Sequence, residues 1–580
     1  MAEPRRIVKK LAYDGVELET TWLKLMDPWT EGDDVPEELK GLYELHKPFD
    51  PHTYYPRPEI ICHQDLGVKL SDGTTIYCDI YRPADSDENH KVPVIVSWSY
   101  YGKRPIPGHA HMYHMGVPSG TTSEMCKFES ADPGFWCRNG YAVANVDPRG
   151  VGWSEGDLTM YGRRDARDGY EFIEWIAQQP WCTGKVGMSG NSQVSINQMF
   201  IAAEQPPHLA AIAPWEGSTD KYRQNMYEGG IPATAFNCWL QHSLCGKGYV
   251  DDMEENLKRY PFVNEYWKDK AIRLEKIKVP CYFTVSWSHF HMYGIFEAFN
   301  KVRTPRKWLR CHREFEWPDA YCVEHLEDLK HFFDRWLKDI NNGWEMTPRV
   351  RLDVMDAYDC DYQIERKEEE FPLERTVYTK YYLDAQNMTM ADKPYENEAS
   401  VSYDANEGFV NFDMEFQEDT ELTGYMKLRL YVESDIHNEM DLFVNIQKAD
   451  EEGNWIPTLV LGEPHPGQWG KLRVSRRALD PKLSKEYKPV LTQEREDKIV
   501  PGEIYPVDIS IWPSCKIWHK GQKLRIQIAG HYIRDGWFEP LRWETDNKGQ
   551  HIIHTGGQYE SYLLAPVIPP RYQCKGYVYR

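Results

Sequence analysis

The sequence predicts an α/β domain with a largely parallel sheet, followed by an antiparallel β-sandwich. In the first part of the chain, short and wholly apolar segments alternate with amphipathic helical segments, as in parallel sheets that are covered on both faces. After about residue 349, apolar and polar residues alternate with a period of two in many short segments. That second pattern is typical of antiparallel strands with one buried face.

A glycine-serine turn within residues 184–195 is the most informative feature of the α/β part. An apolar strand runs into Gly190-Asn-Ser192, and a helical pattern follows over residues 194–204. A serine on a tight turn between a strand and a helix exposes its hydroxyl above the sheet, as a nucleophile requires. Gly190 provides the small residue that such a turn needs before the serine, whereas Val194 stands where a second glycine is usual.

The segments around this turn agree with a parallel sheet. A buried strand ends near Asp147, a helix is predicted over Arg164–Gln179, and an apolar strand is predicted over Leu209–Pro214. Further core strands are expected at Pro280–Trp287 and Lys307–Cys311. The apolar face of the predicted helix consists of Tyr170, Ile173, Trp175 and Ile176.

Composition restricts the class of protein. A chain of 580 residues is too long for a single core, so two or three domains are expected. The net charge of −22 argues against nucleic acid or an anionic membrane as a partner. The chain contains no apolar run that could span a bilayer, and no apolar run follows the first residues, so we expect neither a membrane span nor a secretory signal. Thirteen scattered cysteines without CxxC spacing favour free thiols and a cytoplasmic location.

The chain divides into four regions by composition. They are an N-terminal arm (1–55) with a short helix near Glu37–His46, an α/β domain (56–219 and 278–348), a helical cap inserted into it (220–277), and a sandwich (349–580). The cap would lie over the carboxyl ends of the strands, where such folds bind ligands. Its many aromatic residues indicate either an apolar substrate pocket or the core of the cap itself. The charged tract Glu365–Glu374 is expected to cross the surface between domains.

Two further motifs carry a family resemblance. The run Asp147-x-Arg-Gly-x-Gly-x-Ser-Glu-Gly156, the run Gln179-Pro-Trp-Cys-x-Gly-Lys-Val-Gly187 and the serine turn together resemble the X-prolyl dipeptidyl peptidase/cocaine esterase (CocE/NonD) family of serine hydrolases. The likeness extends from about residue 60 to the end of the chain. It implies an α/β-hydrolase core and a C-terminal jelly roll, of which Gly521–Ile528 resembles the signature strand.

The catalytic acid is where the sequence departs from this family. In the fold, the order along the chain is serine, acid and histidine. The family places its acid in a Trp-Tyr-Asp motif, but the corresponding residues here are Trp287-Ser-His289. Glu216, at the end of the neighbouring strand, is the preferred substitute. The other candidate carboxylates are Asp220, Glu314, Glu316 and Asp319.

The catalytic base is predicted to be His312. It follows the last core strand directly, three residues before the family's histidine position, which Phe315 occupies in an ungapped comparison. His289 and His291 are the alternatives, and each histidine is equally compatible with a purely structural role.

The oxyanion hole is expected to combine a backbone and a side-chain donor. The N–H of Gln193, the residue after the nucleophile, is the first donor. The family adds a tyrosine hydroxyl from a Pro-Tyr-x-Lys loop after an early strand. The run Val94–Lys103 resembles this motif, which places Tyr101 in that role and leaves Tyr100 as the alternative. The expected walls of the substrate pocket are Tyr100, Trp215, Trp287, His289 and His291.

A metal or cofactor is not expected. His109, His111 and His114 are close in sequence, but no cysteine or carboxylate lies among them, and an irregular loop at the pocket rim is the simpler interpretation. No phosphate-binding or dinucleotide motif occurs. The sequence thus predicts hydrolysis of an ester or amide of a small organic molecule through an acyl-serine. The alternatives are a lyase, cyclase or acyl-transfer enzyme, or a non-catalytic ligand-binding relative, and a homodimer is compatible with the fold.

Overall fold

The computed structural model describes residues 5–26, 49–104, 116–533 and 543–569. It divides into two compact units. Unit 1 comprises residues 1–226 and 233–349, and unit 2 comprises residues 227–232 and 350–580. The predicted helix at Glu37–His46 and the histidines 109, 111 and 114 lie outside the described residues.

Unit 1 contains twelve strands and nine helices within its described residues. The strands are β1 (Arg6–Tyr13), β2 (Val16–Lys24), β3 (His52–Arg57), β4 (Ile60–Lys69), β5 (Thr75–Pro83), β6 (Val92–Trp98), β7 (Ala142–Asp147), β8 (Cys182–Asn191), β9 (Leu209–Trp215), β10 (Tyr249–Asp251), β11 (Cys281–Ser286) and β12 (Lys307–His312). The helices are α1 (Pro133–Arg138), α2 (Arg163–Ala177), α3 (Ser192–Ala203), α4 (Ala235–His242), α5 (Met253–Arg259), α6 (Glu265–Asp269), α7 (Met292–Lys301), α8 (Glu316–Ala320) and α9 (Val323–Leu337).

The main sheet of unit 1 has the strand order β3-β4-β5-β7-β6-β8-β9-β11-β12. From β7 onward in this order, all neighbours are parallel. The strands β6, β7, β8, β9 and β11 are wholly or almost wholly buried, because helices cover both faces of the sheet. The carboxyl ends of β6, β8, β9, β11 and β12 therefore meet at one edge, which is where the candidate site lies.

The sequence predictions for this sheet are confirmed with shifts of one or two residues. The predicted helix Arg164–Gln179 is α2, and the predicted strands Leu209–Pro214 and Lys307–Cys311 are β9 and β12. The last strand continues to His312, so this histidine belongs to the strand and not to the loop after it.

A second, small sheet joins the N-terminal arm to the segment predicted as the cap. Strands β1 and β2 form an antiparallel hairpin, and β10 pairs with β2. Asn256 of α5 strengthens this connection, because its side chain accepts from Thr21 N at 2.8 Å and donates to Thr21 O at 3.0 Å. The hairpin of the arm and residues 249–256 are thus joined by strand pairing and side-chain hydrogen bonds.

Unit 2 is built from antiparallel strands around one apolar core. Its strands are β13 (Val350–Met355), β14 (Asp361–Glu368), β15 (Val377–Asp384), β16 (Thr389–Ala391), β17 (Ala399–Asp404), β18 (Phe409–Glu415), β19 (Thr420–Ser434), β20 (Asp441–Ala449), β21 (Thr458–Val460), β22 (Glu463–His465), β23 (Gln468–Arg473), β24 (Tyr505–Trp518), β25 (Lys523–Ala529), β26 (Gln550–Thr555) and β27 (Tyr562–Ile568). One set of paired strands is β18-β25-β20-β23, and another is β15-β27-β19-β24. Both sets contribute to the core, for example through Phe412, Val444, Leu428 and Leu563.

The prediction of a surface crossing at Glu365–Glu374 is wrong for its first half. Residues 365–368 belong to β14, which pairs with β13. The charges are tolerated in a strand because they are paired: Arg366 binds Glu421, and Glu368 accepts a bidentate hydrogen bond from Arg375. In the described part of the chain, no helix is long and apolar enough to cross a membrane.

Candidate active site

The serine turn, here called the serine elbow (Gly190–Ser192), joins β8 directly to α3. Ser192 is the first residue of α3 and has φ 49°, a left-handed conformation that is strained for any residue but glycine. Gly190 has φ 145°, and a Cβ there would lie 2.6 Å from the backbone oxygen of Glu129. The chain therefore needs glycine at 190, and it holds Ser192 in the geometry typical of a catalytic nucleophile.

Two side-chain amides of α3 hold the end of β6 and the residues after it against the elbow. The side-chain oxygen of Gln193 accepts from Tyr100 N at 3.0 Å, and Asn197 Nδ2 donates to Trp98 O at 3.2 Å. Tyr100 is buried, and its hydroxyl donates to Asp165 and accepts from the backbone N–H of Tyr161. Both hydrogen bonds hold the Tyr100 hydroxyl within the buried part of unit 1.

Tyr101, the predicted oxyanion-hole tyrosine, faces a different neighbour. Its ring contacts Phe128 with centroids 5.1 Å apart, and its hydroxyl lies near the carboxyl of Glu129. The backbone N–H of Gln193, the other predicted donor, lies near the same carboxyl. Both predicted donors therefore approach one side chain that sequence reasoning missed.

Glu129 is buried against the elbow by its backbone and its side chain. Its backbone oxygen accepts from Asn191 N at 3.0 Å, and its Oε1 accepts from Trp317 Nε1 at 3.1 Å. Burial, reinforced by the nearby Glu316 carboxyl, raises the pKa of Glu129 well above its usual range. No sequence signal marks this residue, because a polar, irregular segment carries no periodicity from which burial can be inferred.

A group of ionisable residues, here called the acid–histidine cluster, lies at the ends of β9, β11 and β12. Its members are Glu216, His289, Arg310, His312, Glu316 and Asp319, all buried. His289 lies at its centre: Nε2 is 3.2 Å from Glu316 Oε1, and Nδ1 is 3.8 Å from Glu216 Oε2. The histidine that stands in place of the family's aspartate therefore lies between two carboxyl groups.

The predicted pair His312 and Glu216 lies within this cluster. His312 Nε2 is 3.2 Å from Glu216 Oε1 and 3.4 Å from Asp319 Oδ2. Arg310 binds both oxygens of Asp319 and, with His312, keeps the pKa of that carboxyl well below its usual range. Burial raises the pKa of Glu216 to about 8, although His289 and the backbone N–H of Ser286 oppose this shift.

The remaining predicted site residues are buried near the cluster or lie outside it. Trp215 and Trp287 are buried, and Trp215 lies opposite Asn191 in the register of β8 and β9. His291 is buried with Nδ1 3.1 Å from Glu216 O, and burial keeps its pKa well below the usual value. The alternative acids Asp220 and Glu314 pair with Arg223 and Arg313, outside the cluster.

The elbow and the cluster are connected through the side chain of Asn191 and not through the serine hydroxyl. Asn191 Nδ2 donates to the backbone oxygen of Glu316 at 3.3 Å. Among the residues that the structure describes, no imidazole or carboxylate is hydrogen-bonded to the Ser192 side chain. Nor does any group of His, Cys, Asp and Glu side chains in those residues have an arrangement that could hold a metal ion.

An elbow serine between a buried strand and a helix, with an acid–histidine cluster at the same sheet edge, defines the class of the serine hydrolases. Comparison with known proteins agrees. Residues 72–250 match the model of the X-Pro dipeptidyl-peptidase (S15 family), and residues 342–564 match that of the X-Pro dipeptidyl-peptidase C-terminal non-catalytic domain. A crystal structure of a CocE/NonD family hydrolase from Staphylococcus aureus is 36% identical, with a TM-score of 0.83 over 88% of this chain and 94% of that one. The chain therefore belongs to the CocE/NonD family of hydrolases.

More distant relatives agree with the fold. The cocaine esterase of Rhodococcus sp. (strain MB1 Bresler) is 24% identical over 376 residues, which cover 54% of this chain and 61% of that enzyme. The matched region thus spans less than two thirds of that relative's length. An α-amino acid ester hydrolase is 14% identical, with a TM-score of 0.65 over 92% of this chain and 100% of that one, and it supports the fold alone.

Proposed function

We propose that this protein hydrolyses an ester or amide of a small organic substrate through an acyl-serine intermediate at Ser192. The left-handed conformation of Ser192 at the junction of β8 and α3 is the observation that carries this proposal. Backbone strain of this kind costs of order 1–3 kcal/mol and persists where function requires the geometry.

The order of the strands supports an α/β-hydrolase core. Counted from β4, the order first-second-fourth-third-fifth-sixth-seventh-eighth is that of this fold, and the serine follows the fifth strand. By the same reasoning, the two paired sets of strands in unit 2 support a jelly roll. The described cysteines are all free, which supports a cytoplasmic location. We propose that the binding partner of this protein is its small-molecule substrate. We also propose that the protein forms a homodimer.

His312 is the proposed base, and Glu216 is the proposed acid that orients it. The Nε2 atom of His312 lies 3.2 Å from Oε1 of Glu216, close enough for the carboxyl group to hold the imidazole in position. The proton of the Ser192 hydroxyl would pass to His312 as Ser192 attacks the carbonyl carbon, and then to the leaving group. The pair His289 and Glu316 is the rival, because Glu316 is also connected to Asn191 of the elbow.

The first test is labelling with a fluorophosphonate probe, followed by mass spectrometry, on the wild type and on Ser192→Ala. A stoichiometric adduct at Ser192 that is absent from the variant supports an activated serine. Absence of the adduct from folded wild-type protein contradicts the acyl-serine mechanism.

A non-hydrolytic function is the second candidate. Three observations favour it: His289 stands where the family has its acid, Phe315 stands where the family has its base, and no described imidazole is hydrogen-bonded to Ser192. In that case the site would act as a lyase, cyclase or acyl-transfer enzyme, or would bind a ligand without reaction. A folded protein that is not labelled would favour this second function.

A further inference from the structure

The carboxyl of Glu129 lies beside the two groups that are predicted to bind the oxygen of a substrate carbonyl. The hydroxyl of Tyr101 and the backbone N–H of Gln193 both approach it, and these are the two groups predicted to form the oxyanion hole. The backbone of Glu129 is fixed to the elbow by the hydrogen bond from Asn191 N, and Ser130 forms a β-bridge with Gly190. The backbone that carries this carboxyl is therefore fixed beside the hole.

The two oxygens of this carboxyl have different surroundings. Oε1 accepts from Trp317 Nε1 at 3.1 Å, whereas Oε2 is buried and has no hydrogen-bond partner in the described part of the chain. A buried oxygen without a partner costs about 1–3 kcal/mol, so this arrangement points to a ligand that completes it. Because the Trp317 indole only donates, Oε1 must accept, which leaves Oε2 to carry the proton of a neutral carboxyl.

The surroundings of Glu129 disfavour its charged form. The titratable groups that face it are Glu316, Tyr101, Tyr161 and Tyr321. None of these is cationic, and no ion pair to Glu129 occurs among the described residues. A carboxylic acid that an apolar site keeps neutral can donate a hydrogen bond to a developing oxyanion beside a tyrosine.

On the basis of the acyl-serine reaction proposed above, we propose that Glu129 is a third donor of the oxyanion hole. As Ser192 Oγ bonds to the carbonyl carbon, the carbonyl π electrons move to the oxygen, and the Oε2–H of Glu129 hydrogen-bonds to that oxygen together with Tyr101 and Gln193 N–H. Glu129 keeps its proton throughout. The proton of Ser192 goes to the base and then to the leaving group, whose bond to carbon breaks when the intermediate collapses.

The test compares Glu129→Gln with Glu129→Ala, using the rate constant of Ser192 labelling by a fluorophosphonate probe. The phosphoryl oxygen of this probe needs the same donors as a carbonyl oxygen. Glutamine keeps an N–H donor, so we expect labelling within about tenfold of the wild type, whereas alanine removes the donor and should slow labelling about 100-fold or more. Both variants keep a Cβ at φ 58°, so the backbone strain is unchanged.

The pH dependence provides a second readout that a structural role would not change. Wild-type labelling should decline at alkaline pH as Glu129 loses its proton, and Glu129→Gln should lack this decline. Glu124→Gln, a change at an exposed glutamate paired with Arg57, is the control and should match the wild type in rate and pH profile.

The outcomes separate the two proposals. Labelling of Glu129→Ala at or above the wild-type rate would show that the carboxyl blocks the hole, which overturns the donor role while the acyl-serine mechanism stands. Absence of labelling from both the wild type and Glu129→Ala would overturn the mechanism and, with it, this role. Thermal unfolding of each variant, compared with the wild type, identifies any variant that fails to fold, and Glu129→Gln then decides.

Discussion

The serine elbow and the acid–histidine cluster lie at the same edge of the sheet but are held by different interactions. The elbow is fixed by local backbone geometry, namely a left-handed Ser192 and a glycine at 190 that no side chain can replace without collision. The cluster is fixed by ion pairs and hydrogen bonds between β9, β11, β12 and α8. A serine held by its own backbone keeps its conformation whichever acidic and basic side chains lie around it.

Arg310→Met should have the largest effect, because it breaks the cluster at its buried ion pair. The guanidinium binds both oxygens of Asp319, and both side chains are about 2–3% exposed. Removing it takes away the bidentate partner of the buried Asp319 and leaves only the imidazoles of His312 and His325 beside that carboxylate, so we expect a loss of about 3–5 kcal/mol in the free energy of unfolding. Urea unfolding measures this. The control Lys258→Met, at an exposed pair with Glu254, should cost less than about 1 kcal/mol.

Gly190→Ala tests the elbow by the same measurement, the free energy of unfolding. The new Cβ would lie 2.5 Å from Val194 Cγ1 and 2.6 Å from Glu129 O, in a backbone conformation open mainly to glycine. We expect a loss of about 2–4 kcal/mol, from strain and overpacking together. Gly73 has φ 90°, and a Cβ added there would have no atom within 4 Å, so Gly73→Ala measures the cost of backbone strain alone. If both variants lose the same free energy of unfolding, the collision at residue 190 does not contribute.

His312→Asn and His289→Asn test which histidine of the cluster acts as the base for Ser192. If His312 is the base, its replacement should slow labelling of Ser192 about 100-fold or more, and that of His289 should slow it less. As a control, His208→Asn, at a half-buried histidine paired with Glu174, should match the wild type. The reverse order for the two cluster variants would assign the base to His289 and Glu316.

Glu216→Gln should have the smallest effect, and it depends on pH. Glu216 titrates near 8 in the folded protein and has an ordinary value of 4.5, so the folded state holds a proton that the unfolded chain releases. Its contribution to stability is complete below about pH 4.5 and is lost as the pH rises towards 8. We therefore expect the difference in Tm between pH 5 and pH 8 to shrink by a few degrees in Glu216→Gln. An unchanged difference would contradict the raised pKa.

The same contrast explains what could be predicted from the sequence. Ser192 and Gly190 were recognisable because an elbow depends on residues that are adjacent in the chain. The proximity of Glu216 and His312 followed from topology, since parallel strands end at a common edge. Both inferences needed only local pattern and strand order.

The details that the sequence did not reveal depend on contacts between separate segments. Glu129 accepts a hydrogen bond from Asn191 N of the elbow, and Arg310 of β12 holds the candidate acid Asp319. Tyr100 and Tyr101 are neighbours with the same side chain, and only the hydrogen bonds of Tyr100 to Asp165 and Tyr161 distinguish them. The strand at Asp361–Glu368 was missed because paired charges hid its alternation.

The small sheet formed by β1, β2 and β10 has a consequence for the synthesis of the chain on the ribosome. Thr21 of β2 is hydrogen-bonded to Asn256 of α5, which lies 235 residues further along the chain. At about 5–20 residues per second, the hairpin emerges roughly 10–50 s before its partner strand has been made. During that interval the open edge of β2 is a template for other chains, so synthesis itself exposes this region to chaperones and to aggregation.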